Sequence, residues 1–247
     1  MRIGVIVVAL AVSVLAALFA DVNPPSTNAR CPNPGPNRPD VYYPWHAGGY
    51  YTSAFTPGGV YANIQVKRPW VEPTYDINVS AAWTLISGGV HPSTGKGRYA
   101  QTGWIEWRNS GRNNFYAWTD VYGNQPAPRN AGPAFPLNTY HYYTTLYDVN
   151  NGWFSFYVDG QWKDSILPGW QPSGIIEIMG EVNTAASQLG GGWGYPMYAN
   201  DIAVWYNGSW QRPTLTTHTD NFSYFGVWRW GSGAGQNLAV WDQYCQD

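Results

Sequence analysis

The sequence predicts an all-β protein, an antiparallel β-sandwich built as a single domain. Three observations carry this. Charged residues make up 11% of the 247 and aromatic residues 17%, while helix-favouring Leu, Lys, Glu and Met are few beside Gly, Pro, Thr and Val. Short apolar-rich runs alternate with turn signals from about Tyr50 onward. No long segment repeats its apolar residues at the helical period.

Taken in order, residues 1–20 read as a secretion signal. Arg2 supplies the positive start, an apolar core follows, and small residues end it near Ala17 or Ala20. An uncleaved anchor is the alternative, because the apolar run approaches spanning length. Residues 21–48 are rich in Pro and Asn and read as an irregular lead-in. The sandwich domain is expected over 49–247. Its strands are expected at VYANIQVKR (60–68), INVSAAWTLIS (77–87), GRYAQTGWIEW (97–107), NNFYAWTDVYG (113–123), NTYHYYTTLYDV (138–149), GWFSFYVDG (152–160), GIIEIMGEV (174–182) and DIAVWYNG (201–208). Asn-Gly at 151–152 and Asp-Gly at 159–160 mark hairpin turns, since both pairs tolerate positive φ. Cys31 and Cys245 stand near the two ends of the mature chain. In an exported protein they are expected to form one disulfide. The expected product is a secreted monomer with no membrane association once the signal is removed.

Net charge is −2, and no basic run exists to hold phosphates, so nucleic acid is excluded as a partner. His46, His91, His141 and His218 are scattered without metal-ligand spacing and read as surface or structural residues. No Gly-x-Ser-x-Gly elbow occurs, and GSGAGQN (231–237) lacks the lysine of a phosphate-binding loop. No metal or cofactor is called for. The chemistry falls to amides and carboxylates. On the strand YAQTGWIEW, Gln101 and Glu106 are five residues apart and face opposite sides. On GIIEIMGEVN, Glu177, Met179 and Glu181 share one face, and Ile176 and Ile178 the other. A regular strand separates the Cα atoms of Glu177 and Glu181 by about 13 Å. That exceeds the about 5–9.5 Å between the two carboxyl groups of a glycosidase, unless a bulge at Gly180 closes it.

These stretches, in this order, resemble the eqolisin glutamic peptidases. There (I/L)-L-Q-T-G precedes Y-x-A-W-Y-E-W-Y-P, as YAQTG precedes NNFYAWTDVYG here. IIEIMGEVN is similar to their A-E-(W/F)-I-x-E-D-F, SAAWTLISGG to A-W-V-G-I-D, and YPMYANDIAVW to P-F-A-x-F. GVYANIQVKRPWV and EIMGEVN also resemble the neprosin-type peptidases. The resemblance implies a jelly-roll or concanavalin-like sandwich. It matches Gln101 and Glu181 to the catalytic pair. Trp83 and Trp118 match cleft tryptophans, Asp120 the acid of the Y-E-W segment, and Glu177 the earlier, non-catalytic acid of its strand. Ser87 stands where the eqolisin segment has Asp.

The implied activity is a secreted, metal-independent endopeptidase acting on polypeptides at acidic pH. Glu181 would take a proton from the attacking water, and Gln101 would donate to the oxyanion. In this register Glu106 and Trp104 face away from the cleft. The alternative is a laminarinase-like, carbohydrate-active or carbohydrate-binding sandwich, although Met179 replaces the central acid of that E-x-D-x-E strand. A catalytically silent binding module is the third reading.

Overall fold

The computed structural model describes residues 42–71, 78–108, 111–184, 187–192 and 194–243. The secretion signal, Cys31 and Cys245 lie outside them. Sixteen strands account for most of the described chain. In order they are β1 (Tyr42–Thr52), β2 (Gly59–Gln65), β3 (Val79–Val90), β4 (Gly97–Trp107), β5 (Gly111–Trp118), β6 (Arg129–Pro133), β7 (Tyr140–Tyr147) and β8 (Phe154–Val158). There follow β9 (Gln161–Ile166), β10 (Ile175–Thr184), β11 (Gly191–Gly192), β12 (Tyr195–Tyr206), β13 (Ser209–Gln211), β14 (Thr216–Thr219), β15 (Phe225–Trp230) and β16 (Asn237–Asp242). The helical content among the described residues is one 3-10 turn, Gly233–Gly235, in the glycine-rich loop. No helix among them is long and apolar enough to cross a membrane.

The strands form two sheets. The first has the order β14-β1-β10-β3-β4-β5-β6. The second has the order β15-β16-β11-β12-β2-β7-β8-β9, with β13 on the flank of β12. All eight expected strands form. The segment expected to be irregular up to residue 48 already carries β1, which begins at Tyr42. The β8–β9 connection is the expected Asp-Gly turn, with Asp159 at φ 49 and Gly160 at φ 72, positive values that suit the right-handed twist of a hairpin.

Alternation decides what each strand buries. From the first sheet, Ile86, Ala100, Trp104, Tyr116, Ile176, Ile178 and Val182 point between the sheets. They meet Val60, Ala62, Ile64, Tyr143, Phe154, Phe156, Ile202 and Val204 of the second. Each large aliphatic or aromatic side chain buried there contributes about 1.5–3 kcal/mol of transfer free energy. The other face of the first sheet has its own apolar cluster: Val79, Ala81, Trp83, Leu85, Ile105, Phe115, Ala117 and Met179. Polar residues are costly on an apolar sheet face, and Gln101, Glu177, Glu181 and His46 stand on this one.

Candidate active site

Continuous antiparallel register across β1, β10, β3, β4 and β5 arranges the open face in rows. One row reads Tyr50, Glu177, Leu85, Gln101, Ala117. The next reads Gly48, Met179, Trp83, Gly103, Phe115. The third reads His46, Glu181, Ala81, Ile105, Asn113. Gln101, Glu177, Glu181 and Trp83 are thus brought to one face. Glu106 points the other way and pairs with Arg112 at 3.8 Å. Trp104 is fully buried in the core and donates its indole N–H to the Gln65 carbonyl.

The rows decide which carboxylate Gln101 can work with. β10 keeps regular pairing with both neighbours through Gly180, so no bulge draws the two glutamates together. Gln101 and Glu177 are level, two strands apart with Leu85 between them. Two strand spacings put their Cα atoms about 9.5 Å apart. Both side chains rise from the same face of the sheet, on either side of Leu85. Glu181 is four residues further along, about 16 Å from Gln101 by the same geometry. Gln101 is 7% exposed, and its amide makes no hydrogen bond with a described residue. Nor does the Glu177 carboxylate. Glu181 is engaged, accepting the Trp83 indole N–H at 2.6 Å.

Two other matched residues lie elsewhere. Trp118 pairs with Ala100, a core residue, and so faces between the sheets, stacked on Tyr116 at 6.0 Å. The alternation that sends Phe115 and Ala117 to the open face sends Tyr116 and Trp118 inward. Trp118 is therefore corrected from a cleft residue to a support of the core. Asp120 closes the turn after β5, accepting from the backbone of Tyr122 and Asn124 and from the Asn124 side chain. The Asn124 bonds hold its carboxyl below the usual range. It organises a loop rather than joining the glutamates.

Two histidines read as surface or structural belong to this face. His46 is the direct strand partner of Glu181, and its ring meets Trp83 edge-on at 6.0 Å. His218 on β14 is the partner of Gly48. Asp220 ties them together, with an oxygen 2.9 Å from His46 Nδ1 and another 2.8 Å from His218 Nε2. It also accepts the His46 backbone N–H at 2.8 Å. Burial pushes the Glu177 carboxyl up, His46 and His218 oppose this, and Glu181 and Asp220 reinforce it; the outcome is a raised pKa. Burial pulls His46 down, but the Asp220 hydrogen bond and the charges of Glu181, Asp220 and Glu177 overcome it, leaving it raised. Burial raises Asp220, and its bonds to the two histidines bring it down to about 2. Sequence signals for this trio were weak: His46 and Asp220 are 174 residues apart, and His46 lies in the stretch read as an irregular lead-in.

The sandwich is similar in fold to solved eqolisin glutamic peptidases. Scytalido-glutamic peptidase holding a peptide-based transition-state analogue superposes with a TM-score of 0.55 at 12% identity, over 80% of this chain and 97% of that one. The same peptidase with a transition-state analogue inhibitor gives 0.55 at 13%, over 82% and 99%. SCP-B, a member of the eqolisin family in complex with the tripeptide Ala-Ile-His, gives 0.52 at 12%, over 80% and 97%. At such identity the likeness is one of fold. No protein-family model matches the sequence, and no curated protein matches it.

Proposed function

We propose that the protein is a glutamic-type endopeptidase in which Gln101 and Glu177 activate water on a peptide carbonyl. One observation carries the reading. An amide and a carboxylate, neither hydrogen-bonded to a described residue, stand level on one apolar sheet face, two strands apart with Leu85 between them. Glu177 replaces Glu181, the match suggested by motif, because only Glu177 shares the Gln101 row. The fold of peptidases solved with peptide-like ligands supports the substrate class.

The chemistry follows from the two groups. The ionised Glu177 takes a proton from water as its oxygen bonds to the carbonyl carbon. The Gln101 N–H groups donate to the oxygen that gains the charge, and the amide carbonyl steadies the water. The protonated Glu177 then returns the proton to the amide nitrogen as the C–N bond breaks. The cycle as written calls for no metal or cofactor. A carboxylate of raised pKa is ionised above mildly acidic pH, and an amine leaves more readily when protonation is easy. The working range is therefore mildly acidic. The chain is exported through its 1–20 signal, with Cys31 joined to Cys245, and intact mass before and after reduction and alkylation reports both.

The test is digestion of casein between pH 2 and 8, with laminarin as a contrasting substrate, with pepstatin and with a chelator. Peptide release that resists both inhibitors, and that Glu177→Gln abolishes, supports the assignment. Glucan cleavage without proteolysis, or loss of proteolysis to the chelator, overturns it.

A further inference from the structure

The trio beside the glutamates has a build that a surface cluster does not need. Asp220 grips His46 at three points: it accepts from the ring Nδ1 side at 2.9 Å and from the backbone N–H at 2.8 Å, and its own N–H donates to the His46 carbonyl at 3.0 Å. The second carboxylate oxygen is taken by His218 Nε2 at 2.8 Å. With Nδ1 turned to Asp220, His46 keeps Nε2 free of any described hydrogen-bond partner. The ring is held by its own hydrogen bond to the same aspartate that anchors its backbone, and it meets Trp83 in a T-shaped contact. The His46 side chain is 29% exposed and that of Asp220 24%. A histidine is thus fixed on the catalytic face, next to Glu181 and one row beyond Glu177's neighbour Met179.

We propose that His46, held by Asp220, is a positioning residue whose positive charge sets the pH range over which Glu177 works as a base. The proposal rests on the reading of Glu177 as that base. His218 is the weaker partner, since its side chain is 47% exposed and solvent screens it.

The groups around His46 fix the direction of the effect. From β14 and the bend after it come His218 and Asp220; from β10 come Glu177 and Glu181; from β3 comes Trp83; from β1 itself comes Tyr50, edge-on to His218 at 6.5 Å. The second sheet approaches β1 from its other face, where Tyr224 meets Trp45 and Asp242 lies buried. Without the histidines the open face would hold three carboxylates and no cation from these elements. Ionising Glu177 would then have to overcome its burial and two like charges together. A cation fixed at His46 lowers that cost. Glu177 thereby ionises at a lower pH than it otherwise would, and the active range reaches further into acid. Asp220 is needed because an unanchored histidine beside two glutamates would spend part of its time in solvent.

The test is a carbon-13 NMR titration of the glutamate carboxyl groups in the full-length protein, with the pH profile of kcat/KM measured alongside. In the wild-type protein the Glu177 resonance should show a second, smaller inflection at the pH where the His46 ring titrates, because coupled groups report each other. In His46→Gln the Glu177 midpoint should rise by about 0.5–1 pH unit, and the acid limb of kcat/KM should rise with it. In His218→Gln both shifts should be smaller. An unmoved Glu177 midpoint in His46→Gln, or a wild-type Glu177 curve without the second inflection, overturns the proposal. If His46→Gln does not fold, the wild-type curve decides. If the wild-type protein releases no peptide, the peptidase reading fails, while the carboxyl titration still decides whether His46 governs Glu177.

Discussion

Gln101 and Glu177 stand level on the open face of the first sheet, one on β4 and one on β10, with Leu85 of β3 between them. That levelness is a property of register. Shifting β4 by one residue against β3 would turn Gln101 into the core and bring Thr102 to the open face. Shifting it by two would keep the face but move the amide one row, level with Met179. The placing of Gly103 opposes such a slip. A side chain there would strike the Ala82 carbonyl oxygen and approach the Trp83 Cα to 2.7 Å, so the narrow point of the β3–β4 pair accepts only glycine.

The first prediction separates the two glutamates. Glu177→Gln should reduce turnover below detection, because no other carboxylate is level with Gln101. Gln101→Ala should cost about 10²–10³ in kcat, the usual loss on deleting one oxyanion donor. Glu181→Gln should retain measurable activity, since its role is to accept from Trp83. Glu106→Gln, on the opposite face, should leave kcat unchanged. Full activity in Glu177→Gln combined with its loss in Glu181→Gln would restore the motif-based pair.

The second prediction concerns Gly103. Gly103→Ala should destabilise the fold by about 1–3 kcal/mol, the usual cost of overpacking, read as a lower midpoint in urea. Gly97→Ala, with open space around its Cβ, is the control and should change stability by less than about 0.5 kcal/mol. Equal midpoints for the two variants would show that the β3–β4 pair has room to yield.

Much of this molecule was legible in its sequence, and the reasons for the remainder are physical. Alternation in IIEIMGEVN was enough to send Ile176 and Ile178 to the core and both glutamates to the other face. The same rule placed Trp104 opposite Gln101. Alternation says nothing about which residues on separate strands are level, because that depends on hairpin lengths and non-local pairing. Motif spacing therefore selected Glu181, and register selects Glu177. Trp118 failed for a related reason: a tryptophan suits a cleft and a core equally, and only its partner Ala100 shows which one it joins. β1 was missed because the Pro- and Asn-rich lead-in was read as irregular up to residue 48. In the fold, Gly48 lies against Met179, with a virtual Cβ 2.6 Å from its sulfur, and Gly49 lies against Leu215. With β1 hidden, His46 had no strand to stand on, and its link to Asp220 had no local trace.

The third prediction follows from Asp220. Its folded-state pKa of about 2 is depressed below the ordinary value for Asp, so its bonds to the histidines add stability above about pH 4. That stability is lost as pH falls towards 2, where the folded-state carboxylate is protonated. Asp220→Asn should lower stability at pH 6 by about 1–2 kcal/mol, allowing for solvent screening at a partly exposed site. At pH 2 the variant and wild type should melt together. A constant gap across that range would assign the loss to packing and not to charge.

The last prediction turns on the opposite sign at Glu177. Its carboxyl is raised in the folded protein, chiefly by burial, so the folded state binds its proton more tightly than the unfolded chain does. Linkage then makes ionised Glu177 a destabilising group. The penalty is absent at strongly acidic pH, grows as pH rises from the unfolded-chain value towards the folded-state value, and is complete above the latter. Glu177→Gln keeps the shape and removes the charge. It should therefore raise the melting temperature at pH 7 while abolishing turnover, and the gain should vanish near pH 3, where the wild-type carboxyl is protonated. Below the ordinary histidine value of about 6.5, where His46 is charged, His46→Gln should instead lower the melting temperature, because the glutamate loses the cation that offsets its burial. A Glu177→Gln variant that melts below wild type at pH 7 would mean that the carboxylate holds the fold together, and a group with that role could not be one kept unpaired for chemistry.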